Sequence, residues 1–342
     1  MTNGKMRILF NLAGDRNKAS SRVRGYWIGE ALEELGHTVS YAHVNSKADY
    51  LRLTARIARH DVVIFQKSYS RYHPAILRLA RAAGKRVFFD IDDAPSRVGN
   101  PRVERTARWM MRNCHGVLAG SSALVRVARE EQDRVHFVPS GIRLENYVVQ
   151  PVDTHDPARV CLGWIGNGAH YADDILGILT EPLRKVAADR PLTLRIVGAN
   201  GEQRLHTAFD GIPGLTAEVI DGVDWSSPAA ISDAVAPFDI GLYPLFAGPF
   251  NDYKCGFKAL EYMATGIPVL ASDAANHAEI VEEGVSGHLL RSPDDWVRAL
   301  SDLAGNTAKR RAMGAAGRKI VEDRFDTRRI AADLEGMEAV HT

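Results

Sequence analysis

The chain alternates between short apolar runs and longer segments in which apolar residues recur at helical spacing. Near-continuous apolar runs of this kind are typical of parallel strands buried between helices. The pattern therefore predicts two Rossmann-like, doubly wound α/β domains in tandem, each built around a parallel sheet. The predicted strands begin at Arg7, His37, Asp61, Arg86, Gly116 and Val135 in the first half, and at Val160, Leu192, Leu215, Asp239, Ile267 and Gly287 in the second.

The division between the halves is predicted in YVVQPVDTHDPAR, from Tyr147 to Arg159, which contains proline and aspartate and shows no apolar periodicity. We expect domains over residues 1–150 and 151–325, followed by a closing helix over 326–342. A chain of 342 residues is long enough for two such domains. Ligands of open α/β sheets bind beyond the carboxyl ends of the strands, so we look for each candidate site directly after a strand.

The composition, with 45% hydrophobic and 25% charged residues, is that of a globular protein. No apolar run approaches the ~18 residues that indicate a membrane span, and MTNGKMRILFNLAGDRN lacks the apolar core of a signal peptide. The three cysteines (Cys114, Cys161 and Cys255) have no CxxC spacing, so we expect neither a disulfide framework nor a zinc site. Free cysteines favour a cytoplasmic location.

Charge is distributed unevenly: residues 1–150 contain 25 Lys+Arg against 14 Asp+Glu, and the remainder contains 18 against 28. Either solvated helix faces produce this difference, or the basic half contacts an anionic partner. An anionic membrane at its inner face, or a lipid-phosphate acceptor, is one such partner, whereas the net charge of +1 gives no support to nucleic acid. The residues that suggest a membrane are Arg52, Arg56 and Arg59 on one helical face, and Arg102 and Arg105 near Trp109 and Met110.

VFFDIDDAPS, from Val87 to Ser96, places Asp90, Asp92 and Asp93 at the end of a predicted strand. An apolar strand ending in Asp-x-Asp is typical of haloacid-dehalogenase-type phosphatases, but there it opens the domain, and no downstream pair of metal-binding carboxylates is evident. Two interpretations remain. Either these carboxylates cap a helix and pair with an arginine such as Arg97, or Asp92 and Asp93 bind substrate hydroxyls or accept a proton.

The segment after the first strand, LAGDRNKASSRVRG, lacks the GxGxxG fingerprint of dinucleotide-binding proteins. Gly14 allows a close backbone approach, and Arg22 and Arg24 lie in the first turn of the next helix. Arginine there opposes the helix dipole unless an anion is nearby, so the segment indicates a diphosphate or acidic-group site. The alternative is that both arginines point to water.

In the second half, WIGNGAHYADD places Gly166 and Asn167 in a tight turn between a strand and a helix. Backbone N–H groups in such a turn are suited to phosphate.

The segment KCGFKALEYMATGIPVLAS contains Lys254, Lys258 and Glu261 around the start of a predicted helix. Cations at a helix N-terminus are disfavoured unless a phosphate neutralises them. Glu261 lies too deep in the helix to cap it, and a carboxylate there can accept two hydrogen bonds from the vicinal diol of a ribose. The alternative is a Lys258–Glu261 ion pair three residues apart, worth well under ~1 kcal/mol, which explains little about a buried helix.

KALEYMATGIPVLAS, followed by AEIVEEGVSGHLL, resembles the donor-domain signature of GT-B glycosyltransferases, particularly the retaining family-4 (group 1) enzymes. The resemblance extends to WIGN, LRIVG and DIGLYPL, to VPSGIRLENY, and to SSRVRGYWIGEALEELGHTV. It implies two Rossmann-like domains facing across a cleft, with an acceptor in the first and a nucleoside-diphosphate sugar in the second. The nucleotide sugar is then a substrate, and no cofactor is expected.

The resemblance also implies roles for single residues, with three departures. Glu261 corresponds to the carboxylate that binds the ribose, and Lys258 lies near the diphosphate; the family's earlier glutamate is replaced by Tyr253, with Asp252 beside it. The arginine and lysine that usually follow the first strand of the donor domain are missing from GNGAHYADD, and Asp92 and Asp93 stand where the family has a cleft histidine. Phosphate neutralisation is then expected from Lys254, Lys258, Arg22 or Arg24.

The expected function is sugar transfer from a nucleoside-diphosphate sugar, with retention and without a metal, to a glycan, lipid-linked or small-molecule acceptor. Such a reaction belongs to the biosynthesis of cell-surface polysaccharides or glycoconjugates. Two alternatives stay open: a nucleotide-sugar epimerase on the same fold, which needs no acceptor, and a degenerate GT-B domain that binds a partner.

Overall fold

The computed structural model describes residues 4–94, 99–149, 159–248 and 251–337. The chain forms two compact units, the first comprising residues 1–143, 252–255 and 324–342, and the second residues 144–251 and 256–323. Most of the predicted boundary segment, residues 150–158, lies outside the described residues.

The first unit is built on a six-stranded parallel sheet with strand order β2-β1-β3-β4-β5-β6. Its strands are β1 Arg7–Leu12, β2 Thr38–His43, β3 Val62–Gln66, β4 Arg86–Ile91, β5 Gly116–Ala119 and β6 Val135–Phe137. The chain order reverses between β1 and β3, which pair in register from Ile8↔Val62 to Asn11↔Phe65. Side chains at the carboxyl ends of β1 and β3 therefore lie at a topological switch point, where such sheets bind ligands.

Helices cover both faces of this sheet and bury two separate apolar clusters. One cluster includes Leu53, Leu77, Ala107 and Leu124, so the helices that contain these residues pack on one face. The other includes Ile28 and Ile330, on helices that pack against each other. The helices of this unit are α1 Ala19–Ser21, α2 Trp27–Glu34, α3 Lys47–Ile57, α4 His73–Ala82, α5 Pro101–Asn113, α6 Ser122–Arg129 and α13 Thr327–Glu335.

The second unit is built on another six-stranded parallel sheet, with order β12-β11-β10-β7-β8-β9. Its strands are β7 Val160–Ile165, β8 Leu192–Val197, β9 Leu215–Ile220, β10 Ile240–Tyr243, β11 Val269–Ser272 and β12 Gly287–Leu290. The switch point of this sheet lies between β7 and β10. Its helices are α7 Gly168–Asp189, α8 Gln203–Thr207, α9 Pro228–Val235, α10 Phe257–Ala264, α11 Pro293–Gly305 and α12 Thr307–Arg324.

All twelve predicted apolar runs contain a strand of the structure, and both sheets are parallel. The predicted fold class, two Rossmann-like doubly wound domains, is therefore confirmed. One local difference is the helix predicted after β1, in which a π-helical turn over Arg22–Tyr26 lies between α1 and α2. No helix among the described residues combines the length and the apolar character needed to cross a membrane.

Candidate active site

In the second unit, Lys258 lies over the switch point between β7 and β10. Its ammonium Nζ lies 3.9 Å from the ring centre of Tyr171, 4.8 Å from that of Tyr243 and 5.4 Å from that of Trp164. These rings come from α7, β10 and β7, so three elements form an aromatic cage around one cation. Among the described residues, this ammonium makes no hydrogen bond or ion pair.

The backbone at Gly166 passes directly beneath the Lys258 side chain. A Cβ at Gly166 would lie 2.6 Å from Lys258 Cε and 2.9 Å from the Trp164 ring, so a larger residue there would displace the lysine from the cage. The Gly166 N–H donates to the Val197 carbonyl (3.0 Å), and Asn167 accepts a hydrogen bond from Asn200 through its side chain. The Gly166 N–H is thus used within the sheet, and contact of this turn with phosphate through its other N–H groups stays a prediction.

Glu261 lies one turn after Lys258 on α10 and is buried, with 5% of its surface exposed. Its Oε1 accepts a hydrogen bond from the Tyr147 hydroxyl at 3.1 Å. The helix starts after Gly256, whose φ of 64° is a left-handed conformation that glycine adopts readily. A Cβ at this position would also lie only 2.4 Å from the Ile280 side chain. The turn at Gly256 thus determines where Lys258 and Glu261 lie along the helix.

His277 is fully buried beside the cage, with its ring tilted by 41° against that of Tyr243 and the ring centres 4.2 Å apart. Its Nδ1 lies 2.8 Å from the Ser272 carbonyl, which can only accept, so Nδ1 carries the proton. Burial, with a smaller contribution from the nearby Lys258, lowers the pKa of His277 to about 4 despite the Ser272 hydrogen bond. The imidazole is therefore neutral at physiological pH, which leaves the positive charge to Lys258.

In the first unit, Asp92 and Asp93 lie beyond β4 and pair with lysines. Lys67 Nζ lies 3.0 Å from Asp92 Oδ1 and also donates to Asp93, and Lys254 Nζ lies 3.7 Å from Asp93 Oδ1. Burial opposes ionisation of Asp92, but Lys67 and Arg24 outweigh it and lower its pKa. Both carboxylates are thus paired with lysines. The partner considered from the sequence, Arg97, lies outside the described residues.

Arg24 does not lie where a phosphate can reach it. Its guanidinium is completely buried and donates through Nε and Nη2 to Asp90 and through Nη1 to the Val138 carbonyl. The prediction that Arg24 neutralises a diphosphate is therefore wrong, and Asp90 is equally unavailable as a nucleophile. Arg22 is also buried and donates to the Arg16 carbonyl at 3.1 Å.

The other predicted donor residues are spread over the first unit. Tyr253 packs against the apolar cluster beneath α3–α6, and Asp252 is exposed in a short 3-10 turn. Gly14 lies in the loop after β1, where a Cβ would meet only the flexible side chain of Lys18. The structure thus brings Lys254 together with Asp92 and Asp93, with Arg24 close enough to influence Asp92, and brings Lys258 together with Gly166.

A cavity of about 240 Å³ lies at the switch point of the first sheet. Its volume is below the ~300–1,000 Å³ of drug-sized sites, so it is suited to a small ligand. Within the described residues, two of its buried polar atoms, Asn11 Oδ1 and the Tyr69 hydroxyl, have no hydrogen-bond partner. His73 is neutral there, because burial lowers its pKa to about 4, and its Nδ1 accepts from the Ser70 N–H. This wall can exchange hydrogen bonds with a hydroxyl-bearing molecule.

Sequence reasoning missed most partners of these groups. The rule that sites follow strands, if applied to β3, would have identified Lys67, which comes directly after Gln66. The cage around Lys258 gave no local signal, because its rings come from three separate elements. The residues missed are Asn11, Lys67, Tyr69, His73, Tyr147, Trp164, Tyr171, Tyr243 and His277.

Comparison with known sequences shows similarity to glycosyltransferases. Residues 159–306 match the family model described as "Glycosyl transferases group 1". A D-inositol 3-phosphate glycosyltransferase of Nocardia farcinica is 28% identical over 204 residues, 56% of this chain and 44% of that protein. The enzyme of the same description from Stackebrandtia nassauensis is 30% identical over 240 residues, 63% and 51% of the two chains. The chain spans about half the length of these relatives.

Comparison with solved structures gives the same fold. The Anabaena protein HepE, in complex with UDP and glucose, has a TM-score of 0.73 and 16% identity, covering 96% of this chain and 98% of its own. At this identity the likeness concerns the fold, which is GT-B. Over residues 159–306, the family match agrees with the resemblance to group 1 glycosyltransferases seen in the sequence. Residues 159–306, most of the second unit, are therefore similar to group 1 glycosyl transferase domains.

Proposed function

We propose that this protein transfers a sugar from a nucleoside-diphosphate sugar to a hydroxyl-bearing acceptor. The observation that carries the proposal is the arrangement on α10, where a caged cation and a buried carboxylate lie one turn apart at the switch point of the second sheet. The two groups match a nucleoside diphosphate: the cation of Lys258 suits the anionic diphosphate, and the carboxylate of Glu261 suits the diol of the ribose.

Lys258 is suited to a leaving diphosphate because its charge is already partly desolvated. The aromatic faces stabilise the ammonium without neutralising it, and it lies in the first turn of α10, where the helix dipole adds positive potential. Charge that develops on the departing phosphate is thus met by a positioned cation, with little reorganisation. His277 stays neutral and does not compete for the anion.

The remaining features support an acceptor and a donor in separate units. The polar cavity of the first unit has unpaired hydrogen-bonding atoms and the size of a small ligand, which is suited to the group that receives the sugar. The similarity to proteins described as D-inositol 3-phosphate glycosyltransferases, and to a fold relative in complex with UDP, supports the same reaction type. Synthesis of a polysaccharide or glycoconjugate is the pathway class we propose.

Calorimetric titration of UDP, GDP, dTDP and ADP tests the donor. We expect one of them to bind the wild type and Lys258→Met to weaken that binding about 10- to 150-fold, the value of a charged hydrogen bond. The control is Lys185→Met, which removes an exposed cation of α7, and we expect unchanged affinity.

The uncharged nucleoside of the same base separates charge from packing, since its binding should not respond to Lys258→Met. Failure of all four nucleotides to bind the wild type would favour the degenerate partner-binding module. Isomerisation of the sugar in the presence of donor alone would favour the epimerase.

We further propose that transfer proceeds with retention and without a divalent metal. Lys258 already supplies the positive charge that a metal would bring to the diphosphate. Turnover is therefore expected to be unchanged by EDTA, and the product anomer, read by NMR, is expected to match the donor anomer. Activity lost in EDTA and restored by Mg²⁺ or Mn²⁺ would overturn metal independence, and an inverted anomer would overturn retention.

A further inference from the structure

The two faces of the first unit's sheet carry helices of opposite charge. Helices α3, α4, α5 and α6 contain 11 Lys+Arg and 2 Asp+Glu. Helices α2 and α13, on the other face, contain 2 Arg and 5 Asp+Glu. The excess of positive charge found in residues 1–150 is thus concentrated on one side of one sheet, which creates a one-sided attraction for an anionic surface.

Exposed apolar residues lie among these cations. On α4, residues 75, 78, 79 and 82 are exposed and form one stripe at helical spacing, which includes Arg78 and Leu79. Leu79 is 56% exposed, and Leu51, next to Arg52 on α3, is 77% exposed. α3 packs beside α4, and α4 beside α5, so these stripes are neighbours on one surface.

Part of the charge is neutralised within the protein, and part is not. Arg52 pairs with Asp49, and Arg108 and Arg112 pair with Glu131. The sequence-based selection needs two corrections: Met110 is completely buried, and Arg56 donates to the Tyr41 carbonyl. Trp109 is partly buried under the guanidinium of Arg78, which lies 4.7 Å from its ring. Described residues on α4 and α5 that have no carboxylate partner include Arg78, Arg81, Arg102 and Arg105.

We propose that the α3–α6 face docks on an anionic membrane surface. Arginines attract acidic headgroups, and exposed leucines between them gain free energy by entering the boundary between headgroups and acyl chains. A nucleic acid would use the same charges but would leave Leu51 and Leu79 in water, so the leucines favour a lipid surface. The proposal concerns where the protein acts and does not depend on its transferase activity.

Flotation of the protein with vesicles tests the proposal. We expect binding to phosphatidylcholine vesicles that contain phosphatidylglycerol, no binding to phosphatidylcholine alone, and weaker binding as salt is raised. Replacing Arg78, Arg102 and Arg105 together by Gln should weaken binding on the order of 100-fold. Replacing Leu51 and Leu79 by Ser should also weaken binding, although it leaves the net charge of the protein unchanged.

The matched control replaces Arg184, Lys185 and Lys319 by Gln, removing the same charge from exposed positions of the second unit. We expect the control to keep its vesicle binding, with thermal unfolding confirming that all variants fold. An equal loss in the control would assign the effect to net charge and overturn the proposal. The proposal would also be overturned if the protein did not bind vesicles, or if it bound equally well with and without the acidic lipid. RNA binding that is unchanged by the leucine substitutions would overturn it as well.

Discussion

Glu261→Gln is expected to weaken binding of the nucleoside diphosphate about 10- to 150-fold, with little change in the fold. The substitution keeps the volume of the side chain but replaces a buried carboxylate, which accepts through two oxygens, by an amide with one acceptor. Loss of a charged hydrogen bond to the ribose diol costs about 1.5–3 kcal/mol, which gives this range of affinities. Calorimetric titration of the nucleotide identified with the wild type measures it.

A deoxyribose form of the same nucleotide shows whether the carboxylate contacts the ribose. If it does, the wild type should prefer the ribose form and Glu261→Gln should lose that preference, so that the two changes are not additive. Tyr147→Phe is the matched control, since it removes the hydroxyl that donates to Glu261 but keeps the carboxylate. A preference that survives in Glu261→Gln would place the ribose elsewhere.

The strands were predictable because their signal is local. The central strands of both sheets are buried on two faces, so most of them appear as near-continuous apolar runs, whereas the edge strands β2, β6 and β9 are only partly buried. β7 ends where Gly166 begins a turn, and β11 follows the Gly266 stop of α10. Local patterns of this kind determine the order of elements, and order determines a doubly wound topology.

The candidate site was predictable only in part, because its groups depend on tertiary contacts. Lys258 and Glu261 stand out in sequence since charges are rare in a buried helix. The aromatic cage gave no such signal. In the sequence Trp164, Tyr171 and Tyr243 look like ordinary core residues, and they form a cage only because three elements meet at one switch point. No pattern along the chain connects them.

Arg24 shows how a sound local argument can give the wrong role. An arginine in the first turn of a helix calls for an anion. In the structure the helix already begins at Ala19, so Arg24 lies beyond its first turn, but it does pair with an anion. The anion is Asp90, 66 residues further along the chain, at the end of β4. The π-helical turn over Arg22–Tyr26, which has no sequence signature, contains this arginine. The ion pair is therefore structural, and its effect should be on stability.

Arg24→Met is expected to lower the free energy of unfolding of the first unit by about 3–5 kcal/mol. It leaves the Asp90 carboxylate buried without a counter-ion, and the Val138 carbonyl without its donor. For a unit of this size, the calorimetric transition should fall by roughly 6–20 °C, whereas the transition of the second unit should stay in place. Removing both charges in Arg24→Met/Asp90→Leu should recover most of the loss, since a buried pair adds little over apolar residues of similar volume.

The matched control is Arg7→Met, which breaks a similar Arg–Asp pair with Asp61 at the surface. Its side chains are 54% and 35% exposed, so we expect a loss below about 1 kcal/mol.

The loss of unfolding free energy caused by Arg24→Met, called the deficit below, should also depend on pH. Burial raises the pKa of Asp90, and loss of the arginine raises it further. The folded variant then binds the proton more tightly than the unfolded chain, so its stability falls as pH rises above the ordinary aspartate range. The deficit relative to the wild type should be small at acid pH and largest at neutral pH; a deficit independent of pH would show that Asp90 is not left as a buried charge.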